Sequence, residues 1–498
     1  MKKRKYKIKR VVKFFIFLIV ILVLFSILKV ISNKKNKDDF DYKCPDCNVI
    51  LIEVTNLMYD HLGMGGYSRN TSPNIDKFAE ESVVFENAFS PASWTLPSGI
   101  STFTSLYPFT HKVVDRSLNS TLNPKIITLA DILRENGYKT AAFTGGFDYS
   151  PRFGLTNRFD VESSGEEHVP RENENSSLTG YGVFASSAPA ALEWLKNNKD
   201  NEFFLFVQGF DVHCPYTPPQ PFDKLYDPEY KGNIDFSYCY WTFDRTEPKI
   251  DRGRKYYTAV KSVYPVTRNE VRLYDEDIKH MVALYDGEIN YVDSVLGEFL
   301  DGVKEMELSD NTIIILTSEH GDMFGKHGRF ERGGSLTGTF YDDVVHVPLI
   351  IYHPKLKPKR VNGLAQSMDI MPTVLDFLSI PISNSIQGKG LLPLIVNNTD
   401  IHDFILGGSL YNAYSDILVN QSSRIEFVRS KEWKLIREEL FLDNNSTEEN
   451  YELYLLKQDP DELNDIYNSQ YPEIKKVRND LKEKLFKWLQ QFDSIQPK

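Results

Sequence analysis

Asn48-Val49-Ile50-Leu51-Ile52-Glu53-Val54-Thr55-Asn56 is the stretch on which the fold turns. Asn48 to Ile52 is a short apolar, β-branched run of the kind that makes a buried parallel strand, and it empties into the loop Glu53-Val54-Thr55-Asn56. In open α/β sheets, active sites gather at such carboxyl ends. The pattern recurs. Lys139 to Phe143 ends at Thr144-Gly145-Gly146, and Phe203 to Val207 and Thr312 to Leu316 each run straight into polar residues. Helices alternate with these strands: Ser72-Pro73-Asn74 opens Ile75 to Glu81, Thr128 to Asn136 closes at Gly137, and Asp369 to Leu378 follows later. After about Val396 the pattern changes to a short strand set around Phe427 to Ile436 and a charged amphipathic helix, Glu473 to Phe492. The segment 221–279 is aromatic, charged and irregular, and reads as an insertion over the strand ends.

A chain of 498 residues, 41% hydrophobic, is long enough for a large core, and its formal charge of -11 argues against nucleic acid as a partner. An anionic substrate would have to be met by local cations or a metal. Lys2, Lys3, Arg4, Lys5, Lys7, Lys9, Arg10 and Lys13 precede the apolar run Phe14 to Leu28, which with its flanks reaches the roughly 20 residues a membrane-spanning helix needs. This predicts a cytoplasmic basic segment over 1–10, a single transmembrane helix over 11–31 and a solvated linker over 32–47. By the positive-inside rule the rest of the chain then lies outside the cell membrane. A cleaved signal peptide is the alternative, but no small-x-small site follows the run. Cys44 and Cys47 lack the second CxxC pair of a zinc ribbon. Disulfides within Cys44/Cys47 and Cys214/Cys239 suit an exported protein, although spacing does not determine connectivity.

The stretch Ser93-Trp94-Thr95-Leu96-Pro97-Ser98-Gly99 reads as a turn into a helix beginning at Ser98 and Gly99, whose free N–H groups favour an anion beside Thr95. It stands in an ordered series. Asp60-His61-Leu62-Gly63 and Thr71-Ser72-Pro73-Asn74 precede it; Asp211-Val212-His213-Cys214-Pro215-Tyr216, Tyr285-Asp286-Gly287-Glu288, Thr317-Ser318-Glu319-His320-Gly321-Asp322, His346-Val347-Pro348 and Met368-Asp369-Ile370-Met371-Pro372-Thr373 follow. In this order the blocks resemble the sulfatase family of the alkaline phosphatase-like superfamily, over nearly all of the chain after Asn48. The resemblance implies an α/β sandwich with a large central mixed sheet flanked by helices over 48–395, and a smaller C-terminal α+β subdomain over 396–498.

It also implies chemistry. The family's turn reads Cys/Ser-x-Pro-Ser-Arg, and its first residue is oxidised to a formylglycine. Thr95 stands there in this chain, and its secondary alcohol would give a ketone, so it is expected to attack directly as an alkoxide, as in related phosphoryl-transferring branches. Gly99 replaces the family's Arg. A divalent cation, calcium or manganese, is implied at Glu319 and His320, which match the late ligand pair; Thr55 and Asn56 stand at the early acid pair and offer only neutral oxygens. Glu53 shares a strand face with Thr55, but a two-residue step of roughly 6.6 Å puts it out of reach without backbone adjustment. His213 matches a position at the substrate or its leaving group and suits proton transfer. Arg332 falls near the family's late Lys and can clamp an anion with two donors. Lys112 is a second cation or a surface residue, and His111 and His327 are expected to fix loops. The expected activity is hydrolysis or transfer of sulfate or phosphate esters, on a sulfated glycan, a phospholipid headgroup or a teichoic-type polymer. Loss of the early acids and the Arg leaves a second class open, an inactive binding or scaffold ectodomain.

Overall fold

Every residue of Asn48–Val54 is buried, as a strand covered on both faces requires. It belongs to a computed structural model that describes residues 42–492 apart from 118, 165–182, 242–247, 262–268, 333–338, 412–421 and 443–445. The expected basic segment, transmembrane helix and most of the linker lie outside the described residues. Among the described residues no helix is long and apolar enough to cross a membrane.

Among the described residues eight strands form one sheet: Asn48–Val54 (β1), Val83–Phe89 (β2), Lys139–Thr144 (β3), Val161–Ser164 (β4), Phe203–Gly209 (β5), Thr312–Thr317 (β6), Leu349–Tyr352 (β7) and Lys359–Gln366 (β8). Their order is β8-β2-β7-β6-β1-β5-β3-β4. All pairings are parallel except those of β7, which runs against both neighbours. The sheet is therefore mixed, as expected. Glu53 of β1 stands level with Gln208 of β5 and Thr317 of β6, so three central strands end together and their loops converge.

The flanking helices include Pro73–Glu80 (α1), Thr95–Thr104 (α2), Phe184–Asn198 (α3) and Asp275–Glu305 (α4). All ten residues of α2 are buried, which its uncharged sequence permits. Its Phe103 packs edge-on against Phe206 of β5, with ring centroids 4.8 Å apart. The buried carboxylate of Asp293 on α4 accepts the backbone N–H groups of Asn74 (3.0 Å) and Ile75 (2.7 Å), satisfying the free donors at the start of α1.

A second, antiparallel sheet follows: Ile405–Tyr411 (β9), Ser422–Arg429 (β10), Trp433–Phe441 (β11) and Thr447–Leu455 (β12), in chain order. Leu406, Val428, Leu435 and Leu453 pair across it in one row, and the helix Pro472–Leu489 (α5) lays Leu481, Leu485 and Trp488 on that row. The segment expected as an insertion carries short strands, Tyr240–Trp241, Lys249–Asp251, Arg254–Lys261 and Asn269–Tyr274, and its last residues from Asp275 onward form the first turn of α4. Phe236, Tyr240 and Tyr257 are buried in the main core. Both cysteine pairs are disulfides, Cys44–Cys47 and Cys214–Cys239, and the second ties the loop after β5 to this segment.

Candidate active site

The loops at the ends of β1, β5 and β6 meet the first turn of α2. Gln208 bridges two of the strands' ends: its amide accepts the N–H of Gly145 (2.9 Å) and donates to Thr55 Oγ1 (2.7 Å). Glu319, two residues beyond β6 and fully buried, has Ser318 Oγ 3.4 Å from its Oε2, and the nearby hydroxyls of Thr55, Thr95 and Ser318 favour its charged form. Thr95 Oγ1 lies 3.1 Å from His320 Nε2. His320 Nδ1 lies 2.9 Å from the carbonyl of Gly321, which can only accept, so Nδ1 holds the ring proton and Nε2 turns its lone pair to the Thr95 hydroxyl. Burial, and then the charge of Arg332, hold the His320 imidazole well below its usual range, so it is neutral.

His213 and Arg332 sit beside this pair. The His213 and His320 rings meet edge to face with centroids 6.1 Å apart, and Arg332 Nη1 lies 3.1 Å from His213 Nε2. His213 Nδ1 donates to the carbonyl of Cys214 (2.8 Å). Both ring nitrogens are thus engaged, and burial followed by the Arg332 charge pushes the imidazole down to about 3. His213 as it stands accepts from Arg332 and donates to Cys214.

Other expectations change with the geometry. The helix α2 starts at Thr95, and the N–H of Ser98 already bonds to the carbonyl of Trp94 (3.3 Å), so free donors belong to Thr95 and Leu96 instead of Ser98 and Gly99. Asn56 adopts a left-handed φ of 66°, which Asn tolerates. Its Nδ2 turns to Asp322 (2.8 Å) and to the carbonyl of Val212 (3.1 Å). Asp322, absent from the expected set, is buried between Asn56 and Tyr216. Lys112 is exposed. Arg116 is the cation nearer the site: its charge bears on His213 and His320, and Asp148 holds it in two hydrogen bonds of 2.7 and 2.6 Å. No motif marked Arg116, because Asp148 arrives from another segment. His111 fixes the turn under Thr95, with Nδ1 accepting the N–H of Val113 (3.1 Å) and Nε2 3.2 Å from the carbonyl of Pro97. His327 stacks on Tyr341 with centroids 3.7 Å apart.

Glu53 lies closer to the chemistry than the strand spacing suggests. It is fully buried, its Oε1 accepts the hydroxyl of Tyr149, and its charge opposes that of Glu319. Burial, then Glu319, push the Glu53 carboxyl well above its usual range against the opposing effect of Tyr149, and burial pushes Glu319 up to about 7. Glu53 Oε2, Glu319 Oε1 and Asn56 Oδ1 are buried acceptor oxygens without a hydrogen-bond partner. Hard oxygen acceptors left unpaired at the strand ends are the donor set a divalent cation takes, so the residues present fit one. Cys214, Cys239 and Glu331 also lie close together, but both sulfurs are spent in a disulfide.

Residues 47–380 match the family model described as sulfatase, and residues 325–491 match that of the N-sulphoglucosamine sulphohydrolase C-terminal region. The arylsulfatase of Clostridium perfringens is 26% identical over 462 residues, covering 85% of this chain and 90% of that protein. Among solved structures, the phosphonate monoester hydrolase of Agrobacterium radiobacter superposes with a TM-score of 0.67 at 21% identity, covering 89% of this chain and 96% of its own. The protein BT4656, in complex with its substrate D-glucosamine-2-N,6-O-disulfate, gives a TM-score of 0.67 at 19% identity, covering 91% and 99%. Those two likenesses concern the fold, while the family match spans the central sheet and every strand-end loop that builds the site. The chain belongs to the sulfatase family.

Proposed function

We propose that this chain is a membrane-anchored hydrolase that cleaves anionic esters outside the membrane, with the Thr95 hydroxyl as its nucleophile. Members of the family are sulfate-ester hydrolases that typically use a divalent metal. The observation that carries the reading is Thr95 Oγ1 at 3.1 Å from His320 Nε2, with the other ring nitrogen committed to Gly321. As the Thr95 oxygen bonds to sulfur or phosphorus, its proton passes to His320 Nε2 and the ester's alcohol oxygen leaves with the electrons of the broken bond. Water then cleaves the enzyme-bound ester, and Thr95 regains a proton. Arg332, braced by His213, meets the anionic oxygens. Glu319, with Thr55 and Asn56, would hold the family's cation, calcium or manganese, which when bound would supply Lewis-acid polarisation of the ester and a lower pKa for the attacking hydroxyl; His320, matched to the same late ligand pair, keeps its one free lone pair for the Thr95 proton.

A sulfated sugar is the substrate class best supported, because a protein of the same fold was solved with one bound. Phospholipid headgroups and teichoic-type polymers present the same tetrahedral anion and serve as comparison substrates. The extracytoplasmic location rests on the basic and apolar N-terminus together with the two disulfides, which persist in oxidising compartments. The test is turnover of aryl sulfate, aryl phosphate and sulfated glucosamine by the detergent-solubilised chain, with calcium or manganese supplied. Cleavage lost in Thr95→Ala supports the reading, and cleavage undiminished in that variant overturns the nucleophile. The missing acids at Thr55 and Asn56 favour one second reading, a scaffold that binds sulfated sugars and turns none over.

A further inference from the structure

Gly99, Tyr149 and Glu53 interlock beneath Thr95, although they come from three separate segments. A Cβ added at Gly99 would lie 2.3 Å from the Tyr149 hydroxyl oxygen and 2.8 Å from the ring carbon that bears it. Tyr149 therefore fills the space in which a side chain at position 99 would begin. Its hydroxyl donates to Glu53 Oε1, and the ring leans on Phe206 of β5 with centroids 5.3 Å apart. Glu53 Oε2 is left buried and without a partner, as is Oε1 of Glu319. Each carboxylate is thus half satisfied: Tyr149 serves one oxygen of Glu53, and Ser318 Oγ lies 3.4 Å from Oε2 of Glu319. No lysine or arginine side chain bonds either of them among the described residues.

An unsatisfied buried acceptor costs about 1–3 kcal/mol, and more when it is charged. Glu53 stands level with Thr317, two residues before Glu319, and the two charges oppose each other, so two such oxygens at adjacent strand ends ask for a shared cation. The changes at the site also agree with each other. The acid absent at Thr55 and Asn56 reappears at Glu53 on the same strand face as Thr55, and the residue absent at Gly99 makes room for the phenol that aims it.

We propose that Glu53, oriented by Tyr149, is a ligand of a divalent cation that it shares with Glu319, so that the first strand supplies its acid from position 53. The assignment rests on the reading of this pocket as the active site. It makes Gly99 and Tyr149 positioning residues.

The test uses manganese as the probe on the full-length chain in detergent, stripped with EDTA and re-equilibrated. Metal content is read by mass spectrometry and affinity by titration calorimetry. The parent is expected to hold about one manganese per chain, Glu53→Gln to bind at least about 100-fold more weakly through loss of an anionic ligand, and Tyr149→Phe to bind about 10-fold more weakly through loss of its outer support. In EDTA, Glu53→Gln should melt no lower than the parent, since it removes one of two opposed carboxylates; this separates lost ligation from misfolding. Equal manganese affinity in the parent and Glu53→Gln overturns the proposal, as does a parent that binds none. Ester cleavage by a metal-free parent would overturn this inference and leave the proposed function standing. Glu53-dependent binding without cleavage of any ester would do the reverse.

Discussion

Two clusters of buried charge sit in this molecule, and they are built on opposite principles. Where the central sheet meets the C-terminal sheet, Asp342 is paired with Arg429 (2.8 Å) and Lys434 (2.7 Å), and the fully buried Lys434 also meets the buried Glu462 at 2.9 Å. Nearby, buried Glu426 is met by Arg437 at 3.1 Å. Every acid there has a cation within contact. At the strand ends, Glu53 and Glu319 oppose each other's charge, and among the described residues no lysine or arginine bonds either. Burial pushes the Asp342 carboxyl up, but Arg429 and Lys434 outweigh it and hold the group far below its usual range. Burial pushes Glu319 up to about 7 against hydrogen bonds alone, while in the paired cluster burial also raises Glu462 to about 8 and Glu426 to about 7, against the opposing charges of Lys434 and of Arg424 and Arg437. A balanced cluster serves the fold; an unbalanced one at a site of converging loops leaves a place for positive charge that no described lysine or arginine fills.

The largest expected effect separates chemistry from stability. Thr95→Ala should lower ester turnover by at least about a thousandfold, as removal of an attacking hydroxyl does elsewhere, while unfolding in urea shifts by only about 1 kcal/mol for the lost hydrogen bond. Turnover within tenfold of the parent would remove Thr95 from the mechanism. Lys434→Met tests the balanced cluster: it strands Glu462 and leaves Asp342 with Arg429 alone, and equilibrium unfolding should show a loss of about 3–5 kcal/mol. A loss below about 1 kcal/mol would mean that the cluster is no more structural than the site.

Metal should act on the two clusters unequally, with a sign set by pH. A raised folded-state pKa, as at Glu319, contributes stability that is present below the unfolded value and lost as pH rises through about 7. The metal-free protein therefore loses this contribution between pH 5 and pH 8. Added manganese, by binding the ionised form, should raise the melting temperature more at pH 8 than at pH 5, with about 2.7 kcal/mol of stabilisation at a hundred times its Kd. Asp342 runs the other way, because its lowered pKa contributes stability above the unfolded value that is lost only as pH falls towards the folded one. A manganese effect that does not grow with pH would break the contrast. The smallest effect concerns Tyr149: in EDTA, Tyr149→Phe should cost about 1 kcal/mol for its hydrogen bond to Glu53 and nothing at Lys434, seen as a small fall in melting temperature. Restoring the family acids sharpens the same point. Thr55→Asp adds a carboxylate beside Glu319, whereas Asn56→Asp sets one against Asp322, now 2.8 Å from the Asn56 amide. The double variant should then melt with strong metal dependence and below the parent in EDTA.

Much of the fold was legible along the chain because the signals are local. The apolar run at Asn48, those at Phe203 and Thr312, and the cap and stop residues around Leu129–Glu135 mark elements by spacing alone, and the order of the blocks ties Thr95, Glu319 and His320 to strand ends. The row Leu406, Val428, Leu435 and Leu453 was not legible, since strand register depends on turns between partners. Nor was the depth of the site. Strand geometry places Glu53 a step behind Thr55 and stops there; which group stands opposite is a matter of segments 96 residues away in Tyr149 and 266 away in Glu319. The same holds for His213, whose ring nitrogens are committed by Cys214 and by Arg332, and for Asn56, turned aside by Asp322.

The sequence by itself determined the α/β alternation, the strand-end location of the site, the hydroxyl at position 95 and the absence of acids at 55 and 56, because each is a property of one residue or one short period. Tertiary structure alone decided that Glu53 lies buried at the strand end near Glu319, that Gly99 is space for Tyr149, and that His213 braces an arginine. Burial and hydrogen-bond satisfaction are relations between segments far apart in the chain, and they take definite values only once the sheet has brought those segments together.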